Sequence, residues 1–455
     1  MPLFRPHRLA LILAMSLYLP VFANPVVNET AHKNRLSQRE ASSQRPLASD
    51  SALLSQHEAE EAWRKGNQAL EKGQWAEADA AFNLAAKLAP KAYEPLLGLA
   101  DVQLRRSNAA GAEKLVQKAL GLAPRSAEVL TTAGRLAAAQ GKAGDAERLF
   151  QQAAKADAKY APALLDLAEL QLNQGKAREA ASNFRLAAQA DPLHPAAAFG
   201  LGRALVAQRD LPGALKAFEQ CSGLAPRNPL PLLASAEILA AQRNWDKAIE
   251  LARQAESLDP ALGRSRLLVL DLQTGAGRWP AAQQDYDRYA GQSKGEDAAA
   301  LHMKWGNLLE AQGKAAEAMA AYRKASEADA KLAAAWNNLA WLAAQQQKDL
   351  GPALEWARKA VELEPRNFGF LDTLAAVQLA SGDAEAALHS IQQAQKLAPQ
   401  VPYLKYRQGL ALEKLGQPAQ AAQAYQEALK SGAKFEGADD ARKRLAALGK
   451  SNGKS

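Results

Sequence analysis

The chain has 455 residues, of which 48% are hydrophobic, 23% charged and only 6% aromatic. Alanine and leucine dominate it, a composition that favours helix because unbranched side chains lose little entropy there. The net charge of +8 is spread along the chain without a basic block, which argues against a nucleic-acid partner, and a single cysteine, Cys221, rules out an internal disulfide framework.

The chain opens MPLFRPHRLALILAMSLYLPVFANP. Arg5 and Arg8 form a positive start, and Leu9 to Leu19 is an apolar run too short to span a bilayer comfortably. Pro20 breaks the run, and Val21-Phe22-Ala23 supplies the small residues of a cleavage site. The expectation is a secretory signal peptide over residues 1–23, cleaved after Ala23. An uncleaved anchor is the other reading of the same run. Asn24 follows the site where a lipoprotein would carry Cys, and the two arginines are not adjacent as a twin-arginine signal requires. The protein is therefore expected in the periplasm or secreted, with no later transmembrane segment. Residues 24–56 are rich in Ser, Gln, Asn and Arg and read as a disordered linker.

The body repeats. Pro90, Pro124, Pro192, Pro226 and Pro260 fall on one 34-residue ruler, with Ala158 on the missing mark, and Pro365 and Pro399 resume it. Each proline closes a helix-length stretch, because proline cannot continue a helix interior. Midway through each unit stands a turn glycine: Gly73, Gly141, Gly175, Gly277, Gly313, Gly382 and Gly416. Five residues on comes an alanine (Ala78, Ala146, Ala180), four further an aromatic (Phe82, Phe150, Phe184), and three further a small residue (Ala85, Ala153, Ala187). Those spacings put the three on one helix face. About eleven units fit between Ala59 and Ala433.

The ruler slips twice. Two residues enter at the connector 290–297, and one enters near 345–351. The connector contains Gly291-Gln292-Ser293-Lys294-Gly295, the letters of a hydrolase nucleophile elbow. An elbow needs a strand before it and a histidine and an acid beside it. The preceding WPAAQQDYDRYA reads as helix, so Ser293 is expected in an ordinary loop, a seam between two arrays. Gly200-Leu201-Gly202 lacks the third glycine and the strand of a dinucleotide fingerprint. No His or Cys pair stands at metal-ligand spacing. No catalytic, cofactor-binding or metal-binding residue is expected, and Cys221 reads as a small buried hydrophobe.

The recurrent small residue, Ala, aromatic, Ala and Pro resemble the tetratricopeptide repeat (TPR) motif at its positions 8, 20, 24, 27 and 32. Ala252 and Ala357 at position 24 and Tyr289 at position 27 depart from it. The resemblance implies an all-α fold, an α-solenoid in which about eleven helix-turn-helix repeats form a superhelix. Repeats 1–7 span 57–290, the connector 291–297 and repeats 8–11 298–433, with a charged capping helix and polar tail over 434–455. It also implies that first helices line a concave groove for an extended peptide or a helix. The groove residues so implied are Trp63, Asn67, Asp101, Arg135, Glu169, Phe199, Arg203, Glu237, Asp271, Asn307, Asn337, Trp341 and Tyr406. Trp63 stands where some family members carry a carboxylate-clamping lysine.

The stretch from AWNNLAWL to GDAEAAL is similar to terminal repeats of exported bacterial TPR proteins linked to exopolysaccharide and surface-protein systems. The function expected is a non-enzymatic scaffold that binds envelope proteins during assembly of such a system. A chaperone-like holder of exported clients and an enzyme subunit with an unrecognised site are the alternatives.

Overall fold

A computed structural model describes residues 50–260, 263–430, 432, 434–435 and 437–451. The expected signal peptide and residues 24–49 of the expected linker lie outside the described residues. Among the described residues there are 23 helices and no strand. The chain divides into two compact units at Pro260–Ala261, one repeat earlier than the connector at 290–297.

The first unit is six helix pairs. They are α1 (Asp50–Glu71) with α2 (Trp75–Leu88), α3 (Glu94–Arg105) with α4 (Ala109–Leu122), and α5 (Ala127–Ala139) with α6 (Ala143–Ala156). They continue with α7 (Ala161–Asn173) and α8 (Ala177–Ala190), α9 (Pro195–Ala207) and α10 (Leu211–Leu224), and α11 (Leu230–Ala241) and α12 (Trp245–Leu258). α1 begins at Asp50, so residues 50–56, expected in the linker, are helical.

The second unit has five pairs and a final helix. The pairs are α13 (Gly263–Gly275) with α14 (Trp279–Ala290), α15 (Gly295–Ala311) with α16 (Ala315–Ala328), and α17 (Ala333–Gln346) with α18 (Leu350–Leu363). Then come α19 (Phe368–Ala380) with α20 (Ala384–Leu397), α21 (Pro402–Lys414) with α22 (Pro418–Leu429), and α23 (Ala438–Ser451). α15 starts at Gly295, so the connector is shorter than expected. Glu296 and Asp297 lie in the first turn of α15, where a helix N-terminus favours negative charge.

The turn glycines end the first helices. At Gly141, φ is +75°; its N–H donates to Ala138 O and the next N–H, of Lys142, donates to Ala137 O, both at 2.9 Å. This is the left-handed cap that satisfies the last carbonyls of a helix. Ser107, Arg209 and Arg243 take the same conformation, with φ of 57°, 66° and 61°, although they are not glycine. The ninth turn holds two such residues, Gln347 and Asp349, and absorbs the extra residue there.

The core is a chain of clusters along each stack, the largest running from Leu270 on α13 to Leu339 and Leu342 on α17. Phe82 on α2 is fully buried and lies between Gly66 of its own pair and Gly98 of the next. A Cβ at either glycine would stand 2.6 Å from the ring, so the missing side chains are what let the helices close around it. Burying such a ring contributes about 1.5–3 kcal/mol. Phe150, Phe184, Phe218, Tyr322 and Tyr425 are buried in the same way against one glycine each: Gly134, Gly200, Gly202, Gly306 and Gly409.

Candidate functional site

In each unit successive first helices pack on one another. In the first unit α1 meets α3, α3 meets α5, α5 meets α7 and α7 meets α9; in the second, α13 meets α15 and α17 meets α19. Second helices make no next-but-one contact of comparable extent. First helices therefore line the tighter, inner side of each stack, and the residues expected in the groove all stand on first helices.

Most of the charged ones are held by neighbours. Asp101 pairs with Arg105 on its own helix at 3.2 Å. Arg135 Nε donates to Asp166 Oδ2 at 2.6 Å, joining α5 to α7. Arg203 Nη1 lies 2.8 and 2.9 Å from the two oxygens of Glu169, joining α7 to α9, with only 6% of the arginine side chain exposed. In the second unit Lys304 meets Asp271 at 2.6 Å. Burial works against the charge on Arg135, but Asp166 and Asp101 outweigh it and raise its pKa. Burial pushes the Asp166 carboxyl above its ordinary range, more strongly than Arg135 beside it pulls it down. Burial does the same to Asp271 against Lys304.

The remaining positions differ in kind. Trp63 is half-buried against the first cluster, and Phe199 is tilted on Phe218 at 5.5 Å. Glu237 is buried. Asn307 is exposed and accepts from Tyr322 Oη at 2.8 Å. Trp341 lies under the Arg407 guanidinium, 5.7 Å from the ring centre. Tyr406 turns to the end of the stack and donates to Asp440 of α23 at 2.8 Å, so the capping helix holds it. Asn67 Nδ2 and Asn337 Oδ1 are buried without a hydrogen-bond partner.

Sequence reasoning missed Asp166, Lys304, Asp372 and Arg407, although the last two form a close ion pair between α19 and α21 at 2.5 Å. The signal was present: opposite charges one repeat apart on the same face of a first helix.

Ser293 follows α14 and not a strand, and its Oγ accepts from Arg266 Nη1 at 3.3 Å. His302, the next histidine, shares its Nδ1 with Tyr286 Oη at 2.9 Å. Cys221 is buried, which raises its thiol pKa to about 11. Among the described residues no group of three or more His, Cys, Asp or Glu is placed to hold a metal ion, and no helix is long and apolar enough to cross a membrane.

Tetratricopeptide repeat profiles match residues 64–127, 165–229, 199–263, 303–368 and 373–441, and a second such profile matches 137–182. The chain belongs to the tetratricopeptide repeat family. TPR proteins are generally non-enzymatic scaffolds whose folds bind peptides or proteins.

Three solved structures illustrate the likeness of fold. PilF of Pseudomonas aeruginosa is 19% identical, with a TM-score of 0.40 over 48% of this chain and 98% of its own. A tetratricopeptide repeat protein of Parabacteroides merdae is also 19% identical, with a TM-score of 0.40 over 54% of this chain and 97% of its own. Yeast Tom70 is 14% identical, with a TM-score of 0.41 over 87% of this chain and 96% of its own. No curated protein sequence matches this TPR protein.

Proposed function

We propose that this TPR protein is an exported scaffold that gathers protein partners in a bacterial envelope, during assembly of an exopolysaccharide, surface or secretion system. The inner face of its first helices does the binding. The reading is supported by the signal-peptide pattern of residues 1–23, which is the kind that directs export, and by the resemblance of its C-terminal repeats.

The observation that carries the binding role is the pairing of apolar side chains with unsatisfied amides. Asn67 Nδ2 lies one helical turn from Trp63, and Asn337 Oδ1 one turn from Trp341. A buried polar atom without a partner costs about 1–3 kcal/mol. An extended polypeptide offers both a donor and an acceptor at every residue, so it would satisfy these atoms while covering the rings. Because the groove charges are already paired, aromatic anchors and amides supply the recognition.

Site-specific photocrosslinking in the cell, from positions beside Asn67 and Asn337, tests this. A small, fixed set of envelope proteins is expected, lost when Trp63 and Trp341 are both replaced by alanine. Recovery of many unrelated extended chains would favour a chaperone-like holder. Recovery of no envelope protein would overturn the scaffold reading.

A further inference from the structure

Every first helix of the α1–α12 unit ends in a tight turn. Each of the six turns carries a cation within one residue of its left-handed position: Lys72, Arg106, Lys142, Lys176, Arg209 and Arg243, all exposed. Contacts between neighbours set these turns side by side on one edge of the stack. Gln140 of the third turn donates to Glu113 near the start of α4 at 3.4 Å. Lys176 of the fourth reaches Glu147 of α6 at 2.9 Å. Gln208 of the fifth donates to the carbonyl of Ala177, the first residue of α8, at 2.8 Å.

Acids on this edge are mostly engaged. Asp210 accepts the N–H of Gly213, Asp145 pairs with Arg148, and Glu113 and Glu147 take the contacts above. Of the six cations, only Lys176 has an ion-pair partner among the described residues. Two of the others occupy strained backbone. Arg209 and Arg243 hold positive φ where sister turns use Gly73, Gly141 and Gly175. A side chain kept where glycine fits better points to a role at the surface and not in the turn.

We infer that this edge is a second recognition surface, apart from the groove, and that its partner is an extended acidic polypeptide. The groove cations Arg135 and Arg203 are paired internally, so carboxylates approaching this unit find unpaired cations on the turns. Helices packed on one another stand about 8–10 Å apart, and an extended chain of the polyproline II type rises about 3.1 Å per residue with three residues per turn, so every third side chain lies on one face. Acidic residues at every third position therefore match successive turns. Positive and negative side chains balance over residues 50–260, which disfavours a densely charged phosphate polymer and suits a sparser chain of carboxylates.

The full chain titrated with fluorescein-labelled poly-L-glutamate at low salt tests the inference. Binding should weaken as salt rises, and replacement of all six cations by glutamine should weaken it about tenfold. A second variant, Arg209→Gly with Arg243→Gly, removes two charges and the backbone strain together. It should bind more weakly while melting at a higher temperature, a combination that misfolding cannot produce. Trp63→Ala with Asn67→Ala, which alters the groove alone, should leave poly-L-glutamate binding unchanged. Equal affinity of the six-glutamine variant would overturn the inference. So would loss of binding in the groove variant, or tighter binding of duplex DNA or of phosphatidylglycerol vesicles than of poly-L-glutamate.

Discussion

Arg209 and Arg243 show how a residue can obey the repeat while breaking its rule. A left-handed conformation costs a residue with a Cβ about 1–2 kcal/mol. Glycine relieves that cost but adds about 0.4–1 kcal/mol of unfolded-state entropy. Each Arg→Gly change should therefore stabilise by roughly 0.8 kcal/mol at mid-range, read as a raised midpoint in urea. The reverse logic holds at Gly200, where a Cβ would stand 2.2 Å from the Phe184 ring. Gly200→Ala should destabilise by about 1–3 kcal/mol through overpacking, and an unchanged midpoint would show that α9 can shift away. The turn glycines were legible in the sequence because they recur on one ruler. Ser107, Arg209 and Arg243 were not, because nothing in those residues signals positive φ; only their place on the ruler imposes it.

At the scale of elements, what joins one first helix to the next is partly ionic. Arg203 is almost wholly covered and its partner Glu169 is 17% exposed. Replacing Arg203 by Met alone leaves a covered carboxylate unpaired and should cost about 3–5 kcal/mol, whereas Glu169→Leu with Arg203→Met should come close to neutral. A double-mutant cycle in urea checks this; additive single effects would refute the coupling. A different device joins α14 to α15, where His302 bonds Tyr286. Burial, then Lys324, lowers the His302 pKa below its ordinary 6.5, with Glu327 opposing. Burial likewise lowers that of His194, against Asp191. A depressed folded pKa gives stability that is complete above pH 6.5 and is lost as pH falls through the folded value. The melting temperature should thus drop as pH falls below 6.5, and the drop should shrink in the His194→Gln, His302→Gln variant. The resemblance assigned the candidate groove positions to first helices, where they stand, since that assignment depends only on the repeat frame. Their pairing was hidden, because it depends on which charge faces which one repeat away.

For the whole molecule, stacking means that each repeat is stabilised chiefly by its neighbours. The consequence is sharpest at the C-terminal end. There α23 covers α22 and touches α21, with Ala441 buried beside Leu412 and Tyr425. Arg444 bridges Glu413 and its own Asp440, and Asp440 holds Tyr406. The charged sequence of this segment announced a cap; that it also pins Tyr406, a residue expected in the groove, emerges only once the helices are placed. Removing residues 434–455 would bare the apolar face of the last pair and leave Glu413 without Arg444. Hydrogen exchange in α21 and α22 should then quicken by about tenfold or more, with smaller effects in α19 and α20. Exchange in α1 to α12 should not change, because each repeat draws its stability from its immediate neighbours and the cap stands five pairs away along the chain. If α1 to α12 lost protection to the same degree, the chain would unfold as one cooperative block, and the account of stability as a sum of neighbouring pairs would have to be abandoned.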